Sequence, residues 1–104
     1  MRKYETLVLF SPEMSGENRT AIVENLTGVI TREEGQILTL DDWGMRNLAY
    51  PVQKQMRGYF IRFEYVAPGK AVAEVERIIR ITDGIFKFVT VLLDAAYEAA
   101  EEVA

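Results

Sequence analysis

Met56-Arg57-Gly58-Tyr59-Phe60-Ile61-Arg62-Phe63-Glu64-Tyr65, MRGYFIRFEY, is the stretch on which the fold turns. Side chains alternate faces along an extended chain, so Tyr59, Ile61, Phe63 and Tyr65 share one side and Phe60, Arg62 and Glu64 the other. The first set is uniformly large and mostly apolar, which is the face of a strand turned toward a core. The second mixes one aromatic ring with opposite charges. The segment therefore reads as a strand covered on one side only.

Elements of matching character lie on both sides of it. Residues Arg2 to Phe10 alternate without breakers and are stopped by Ser11-Pro12, which predicts a first strand. Ser15 is a helix N-cap candidate. Ala21, Ile22, Val23, Leu26, Val29 and Ile30 follow at helical spacing, up to Gly35. Gln36 to Leu40 opens a second strand that continues, bent at Gly44, into MRNLAYPV; Pro51 puts that strand at a sheet edge, because proline cannot donate to a ladder. Gln53-Lys54-Gln55 links it to the third strand, Arg57 to Val66. Pro68-Gly69 opens a second helix with Val72, Val75, Ile78 and Ile79 on one face, and Ile85 to Leu93 forms a fourth strand.

The order β-α-β-β-α-β is that of a ferredoxin-like α+β domain over residues 1–93, with both helices on one face of a four-stranded antiparallel sheet and the other face open. Leu7, Leu9, Val89 and Val91 share the outward parity of Phe60, so an apolar patch rimmed by charge is expected there, the mark of a protein interface. Residues 94–104 form an acidic tail of small residues, expected to be dispensable for folding, with Tyr97 as its one anchor candidate.

Composition narrows the chemistry. A chain of 104 residues with 49% hydrophobic content suits one domain. With no cysteine and no histidine, disulfides, thiolate nucleophiles, imidazole bases and the usual zinc ligands are excluded. The start, MRKYETLVLF, is too soon polar for a signal peptide and no apolar run is long enough to span a bilayer, so a soluble, cytoplasmic protein is expected. The net charge of −4 argues against a nucleic-acid partner until its distribution is considered. Trp43 to Phe63 contains no Asp or Glu but has Arg46, Lys54, Arg57 and Arg62, whereas Asp94 to Ala104 contains no Lys or Arg but has Asp94, Glu98, Glu101 and Glu102. A basic hairpin and an acidic end are the outcome.

Arg57-Gly58-Tyr59 also begins like the RNA recognition motif signature, K/R-G-F/Y-G/A-F-V-x-F/Y, whose third and fifth places stack on bases. Those places are Tyr59 and Ile61 here, both on the core side, while the small fourth place is Phe60 and the final aromatic is Glu64. The signature fails where its chemistry lies.

Two segments, WGMRNLAYPVQKQMRGYF (43–60) and RIIRITDGIFKF (77–88), together with the start MRKYETLVLF, resemble the bacterial small-subunit ribosomal protein S six family over essentially Met1 to Leu93. The resemblance implies a structural constituent of the small ribosomal subunit that binds the central domain of its RNA together with small-subunit protein eighteen, with no enzymatic activity, cofactor or metal. Carried over position by position, it implies RNA or partner contacts at Arg2, Lys3, Arg46, Tyr50, Lys54 and Arg80. Asn47 stands where a second basic residue is frequent in the family, and Lys87 where it has arginine; both keep a donor, but lysine lacks the bidentate fork. The outward-facing residues Leu7, Leu9, Phe60, Arg62, Val89 and Val91, which no helix covers, are the surface expected to take the partner.

Three other readings of this fold compete. A stand-alone RNA recognition module would need aromatics on the open face, where Phe60 alone qualifies from sequence. An acylphosphatase-like enzyme would need a phosphate cradle after the first strand, but Ser11 to Gly16 offers one glycine, no cation and a repelling carboxylate. A small-ligand regulatory domain is left open by the pattern.

Overall fold

The computed structural model describes residues 2–95. Its elements run β1 (Arg2–Phe10), α1 (Gly16–Arg32), β2 (Gln36–Val52), β3 (Gln55–Ala67), α2 (Gly69–Ile81) and β4 (Ile85–Asp94). The strands form one antiparallel sheet in the order β2-β3-β1-β4, so β2 and β4 are its edges and Pro51 lies on an edge strand as expected. Of the tail, Asp94 closes β4 and Ala95 follows; Tyr97 and the rest lie outside the described residues.

The core forms where the alternation of β3 puts it. Ile61, Phe63 and Tyr65 are buried beneath the helices, opposite Val8, Thr6 and Tyr4 of β1, while Leu26, Val29 and Ile30 of α1 and Ala71, Val75 and Ile79 of α2 close the layer from above. Thr6 is the buried polar residue of that core; its hydroxyl lies 2.9 Å from the Tyr65 hydroxyl and 3.0 Å from that of Thr90. Each buried hydroxyl is thereby satisfied, which removes the cost of stranding a polar group. Burial holds the Tyr65 phenol above its usual pKa, against the lowering effect of the Thr6 hydrogen bond.

α1 starts where the sequence places its cap, with the Ser15 hydroxyl accepting the Asn18 N–H at 3.1 Å. Its end differs from the expected glycine stop. Glu34, not Gly35, takes the left-handed φ of 71°, and the Gly35 N–H returns to the Ile30 carbonyl at 2.8 Å. Gly35 answers a demand for space instead: a Cβ there would lie 2.8 Å from Ile30 Cγ2 and from the Val66 carbonyl oxygen, and 2.9 Å from Ala67 Cβ. Gly35→Ala is therefore expected to cost about 1–3 kcal/mol through overpacking against backbone, measurable as a lowered urea midpoint at unchanged slope.

The β2–β3 turn carries strain. Val52 pairs with Gln55, and the two residues between them, Gln53 and Lys54, have φ of 51° and 63°, as in a type I′ hairpin turn that normally selects Asn-Gly. Gln53→Asn with Lys54→Gly is expected to raise stability by about 1 kcal/mol by relieving two left-handed non-glycine residues. Thermal melts would show the gain.

Candidate nucleic-acid and partner interface

The open face is shaped first by a break in the ladder. β2 and β3 stay paired as far as Asn47 and Arg57, and pair again at Val52 and Gln55; between these, β2 has Leu48, Ala49, Tyr50 and Pro51 where β3 has Met56 alone. The surplus chain must leave the sheet plane, and Pro51 lacks the N–H that would tie it back. Leu48, Ala49, Tyr50 and Val52 become one wall of a groove of about 340 Å³, whose opposite lining includes Leu7, Leu9, Phe60 and Val89. Lys87 of β4 fastens that wall. Its Nζ donates to the Tyr50 hydroxyl at 3.1 Å and lies 5.5 Å from the ring centroid.

The groove corrects the flat, exposed patch expected from alternation. Val89 and Val91 are exposed, but Leu9 is only 4% exposed and Phe60 is half-buried. Gly58 explains part of this, because Leu9 occupies the space a Cβ would need there. Trp43 explains more: it sits at a bulge beside Gly44, whose φ is 77°, and its ring tilts toward Phe60 at 6.3 Å. Trp43 and Tyr50 thus join Phe60 as aromatic residues of this region, which simple parity did not reveal.

Further along the face, apolar character gives way to charge. The Arg62 guanidinium is hydrogen-bonded to Glu5 through Nε, to Asp41 at 3.0 Å and to Glu64 at 2.9 Å, and Lys3 reaches Glu64 at 3.9 Å. The cluster is one negative charge in excess. Its hydrogen bonds with Glu5 and Glu64 push the already high Arg62 pKa further up, so the guanidinium keeps its charge at every accessible pH. Among the described residues no group of His, Cys, Asp or Glu is disposed to hold a metal ion.

The residues implied as RNA contacts do not form one cluster. Arg46, Asn47, Tyr50, Lys54 and Lys87 gather at the hairpin end, where Arg46 lies 5.9 Å from the Trp43 ring and donates to the Trp43 carbonyl at 3.1 Å. Lys3 lies at the other end of β1, six residues from Leu9 and roughly 20 Å along the strand. Arg2 is near Gly69 at the start of α2. Arg80 stands on the helix side, 5.5 Å from the Phe88 ring and 3.6 Å from Glu76. Tyr59 keeps its core-side place: Arg19 lies over its ring at 3.6 Å and its hydroxyl donates to Asp42 at 2.7 Å, a bond that together with burial raises its pKa.

The family model for ribosomal protein S6 matches residues 3–92. The chain belongs to that family. It is 64% identical over its full length, and over the full length of the relative, to small ribosomal subunit protein bS6 of Nitratidesulfovibrio vulgaris strain DSM 19637 / Miyazaki F. It is 62% identical to that of Oleidesulfovibrio alaskensis over 96% of this chain and all of the relative. Among solved structures, 30S ribosomal protein S6 from Thermotoga maritima superposes with a TM-score of 0.83 at 27% identity, covering 88% of this chain and 86% of that one. The C-terminal domain of the MgtC protein from Mycobacterium tuberculosis superposes at 0.61 with 12% identity over 94% of this chain and 95% of that one. The second likeness concerns fold alone, and a fold shared this widely does not choose a function.

Proposed function

We propose that this protein, a structural constituent of the small ribosomal subunit, contacts small-subunit RNA through the hairpin end of its open face while small-subunit ribosomal protein eighteen is seated along the rest of that face. The observation that carries this reading is the electrical polarity of the face. Trp43 to Phe63 has no carboxylate, and Arg46, Lys54 and Lys87 stand at the hairpin end, whereas three carboxylates converge on Arg62 toward the other end. Phosphates favour the first region and a basic protein the second.

The chemistry asked of these residues is positioning. Arg46 and Lys54, exposed near the turn, neutralise phosphates without reading bases, so the RNA is selected by its shape. The groove lined by Leu7, Leu9 and Phe60 supplies apolar area to the protein partner, with Val89 as its exposed edge and exposed Val91 two residues beyond. Val89→Glu is the direct test. It should abolish co-purification with protein eighteen while leaving the melting transition nearly unchanged, since Val89 is 51% exposed. Retained pairing would remove the partner from this face.

A stand-alone RNA module is the second reading, supported by the Trp43–Phe60 ring pair at 6.3 Å. Under it, Phe60→Ala would lower RNA affinity in the absence of any protein partner.

A further inference from the structure

The groove and the Arg62 cluster occupy the same face, and their chemistries differ. Leu9 pairs with Phe60 and Glu5 with Glu64, so the Leu9–Phe60 row of the groove and the Glu5–Glu64 row are four residues apart along both central strands, roughly 13 Å, with Leu7 and Val89 of the groove in register with Arg62 between them. An extended chain laid along β1 repeats that distance between its own residues i and i+4, which also share a face. We propose that the open face recognises an extended partner segment bearing an apolar side chain and, four residues away, a cationic one: the first enters the groove beneath the Leu48–Pro51 bulge and the second meets the carboxylates around Arg62.

Charge fixes which end is which. Lys87, held against Tyr50, stands at the mouth of the groove and Arg46 is close by on the hairpin, so a cation at that end meets repulsion. Glu5, Asp41 and Glu64 outnumber Arg62 and Lys3 at the other end. Arg62 itself donates one hydrogen bond to each of Glu5, Asp41 and Glu64 and so holds the three carboxylates together. A phosphate or an acidic peptide would be repelled there, which separates this surface from the RNA-facing hairpin.

The inference rests on the reading that a protein partner occupies the open face, and its test keeps the two apart. Nine-residue capped peptides on a serine-threonine background would be titrated into the full chain, with isoleucine and arginine four apart, in both chain directions. Controls would place them three apart, replace arginine by glutamate, or replace isoleucine by serine. Chemical shifts of the Leu7, Leu9 and Val89 methyls and of the Arg62 Nε–H are the readout. In at least one direction the four-residue spacing should bind at least fivefold more tightly than the three-residue spacing. In the Glu5→Gln, Asp41→Asn double variant the arginine preference should vanish while the methyl shifts remain.

Equal binding at both spacings, or shifts confined to other surfaces, would overturn the two-point pattern. Self-association of the chain through these same methyls, seen by sedimentation, would also overturn it by making a second copy the occupant. Protein eighteen titrated in the same way separates the readings. If it binds without moving these groups, this inference fails and pairing stands; if it does not bind although the spaced peptide does, pairing with that protein fails and the recognition pattern stands.

Discussion

Phe63→Ala is expected to destabilise the protein by about 3–5 kcal/mol, whereas Phe60→Ala, its neighbour three positions earlier on the same strand, should cost far less in folding. Phe63 is 1% exposed, pairs with Thr6 on a central strand and belongs to the buried cluster that joins the sheet to both helices, so loss of its ring opens a cavity in the core. Against the roughly 5–15 kcal/mol that natural domains have in hand, a loss of that size removes a large share of the stability. Phe60 points the other way, half-buried between Trp43 and the groove, and its truncation leaves a space open to water. Under the proposed pairing, its loss should weaken binding of the protein partner by about 1–3 kcal/mol. Urea titrations of both variants beside a pairing assay give the comparison. Equal destabilisation by the two would mean that the open face contributes to the core as much as the helix-covered face does.

The same strand shows how far sequence carries. Alternation in MRGYFIRFEY assigned Tyr59, Ile61, Phe63 and Tyr65 to the helix side correctly, and with it the sheet, because burial on one face is a repeating constraint that every second residue must obey. Pro51 marked β2 as an edge for an equally local reason. The groove was less legible, since it depends on a surplus of residues in one strand relative to its partner, and a pairing register is a relation between segments that neither contains alone. Leu48, Ala49 and Tyr50 therefore had no assigned role as a wall, and Phe60 was expected to lie exposed. Arg62 was assigned to the partner face, but its engagement by Glu5, Asp41 and Glu64 joins positions 5, 41, 62 and 64 across three strands. Glu34 illustrates a different limit: Gly35 was the natural helix stop, yet close approach to Val66 and Ala67 claimed the glycine and left the left-handed turn to its neighbour.

Titration of central-domain RNA should show weak binding by the protein alone and far tighter binding once protein eighteen is added, with Arg46→Glu weakening the second much more than it affects protein pairing. At a net charge of −4 the chain as a whole repels RNA, and only a local surface can attract it. That surface is smaller than the sequence suggests, because Lys3 and Arg62 are drawn into the carboxylate cluster and Arg80 lies on the helix side beside Glu76. Arg46, Lys54 and Lys87 remain at the hairpin end of that face, enough for a few phosphates. Each phosphate neutralised contributes about −0.9 to the log-log salt slope on duplex and about −0.7 on single strands, so a chain with so few contacts has modest affinity and a shallow slope. A basic partner docked along the acidic end covers the repelling carboxylates and extends the positive surface past the groove, so its contacts and those of the hairpin act within one complex. Arg46→Glu removes one contact and adds a repulsive charge at the hairpin. The slope for the pair should therefore become shallower by about one contact's worth, 0.7–0.9, while Arg46, outside the groove, leaves pairing largely intact. Equal RNA affinity with and without the partner, across several salt concentrations, would defeat the cooperative model and favour a module that binds RNA by itself through Trp43 and Phe60.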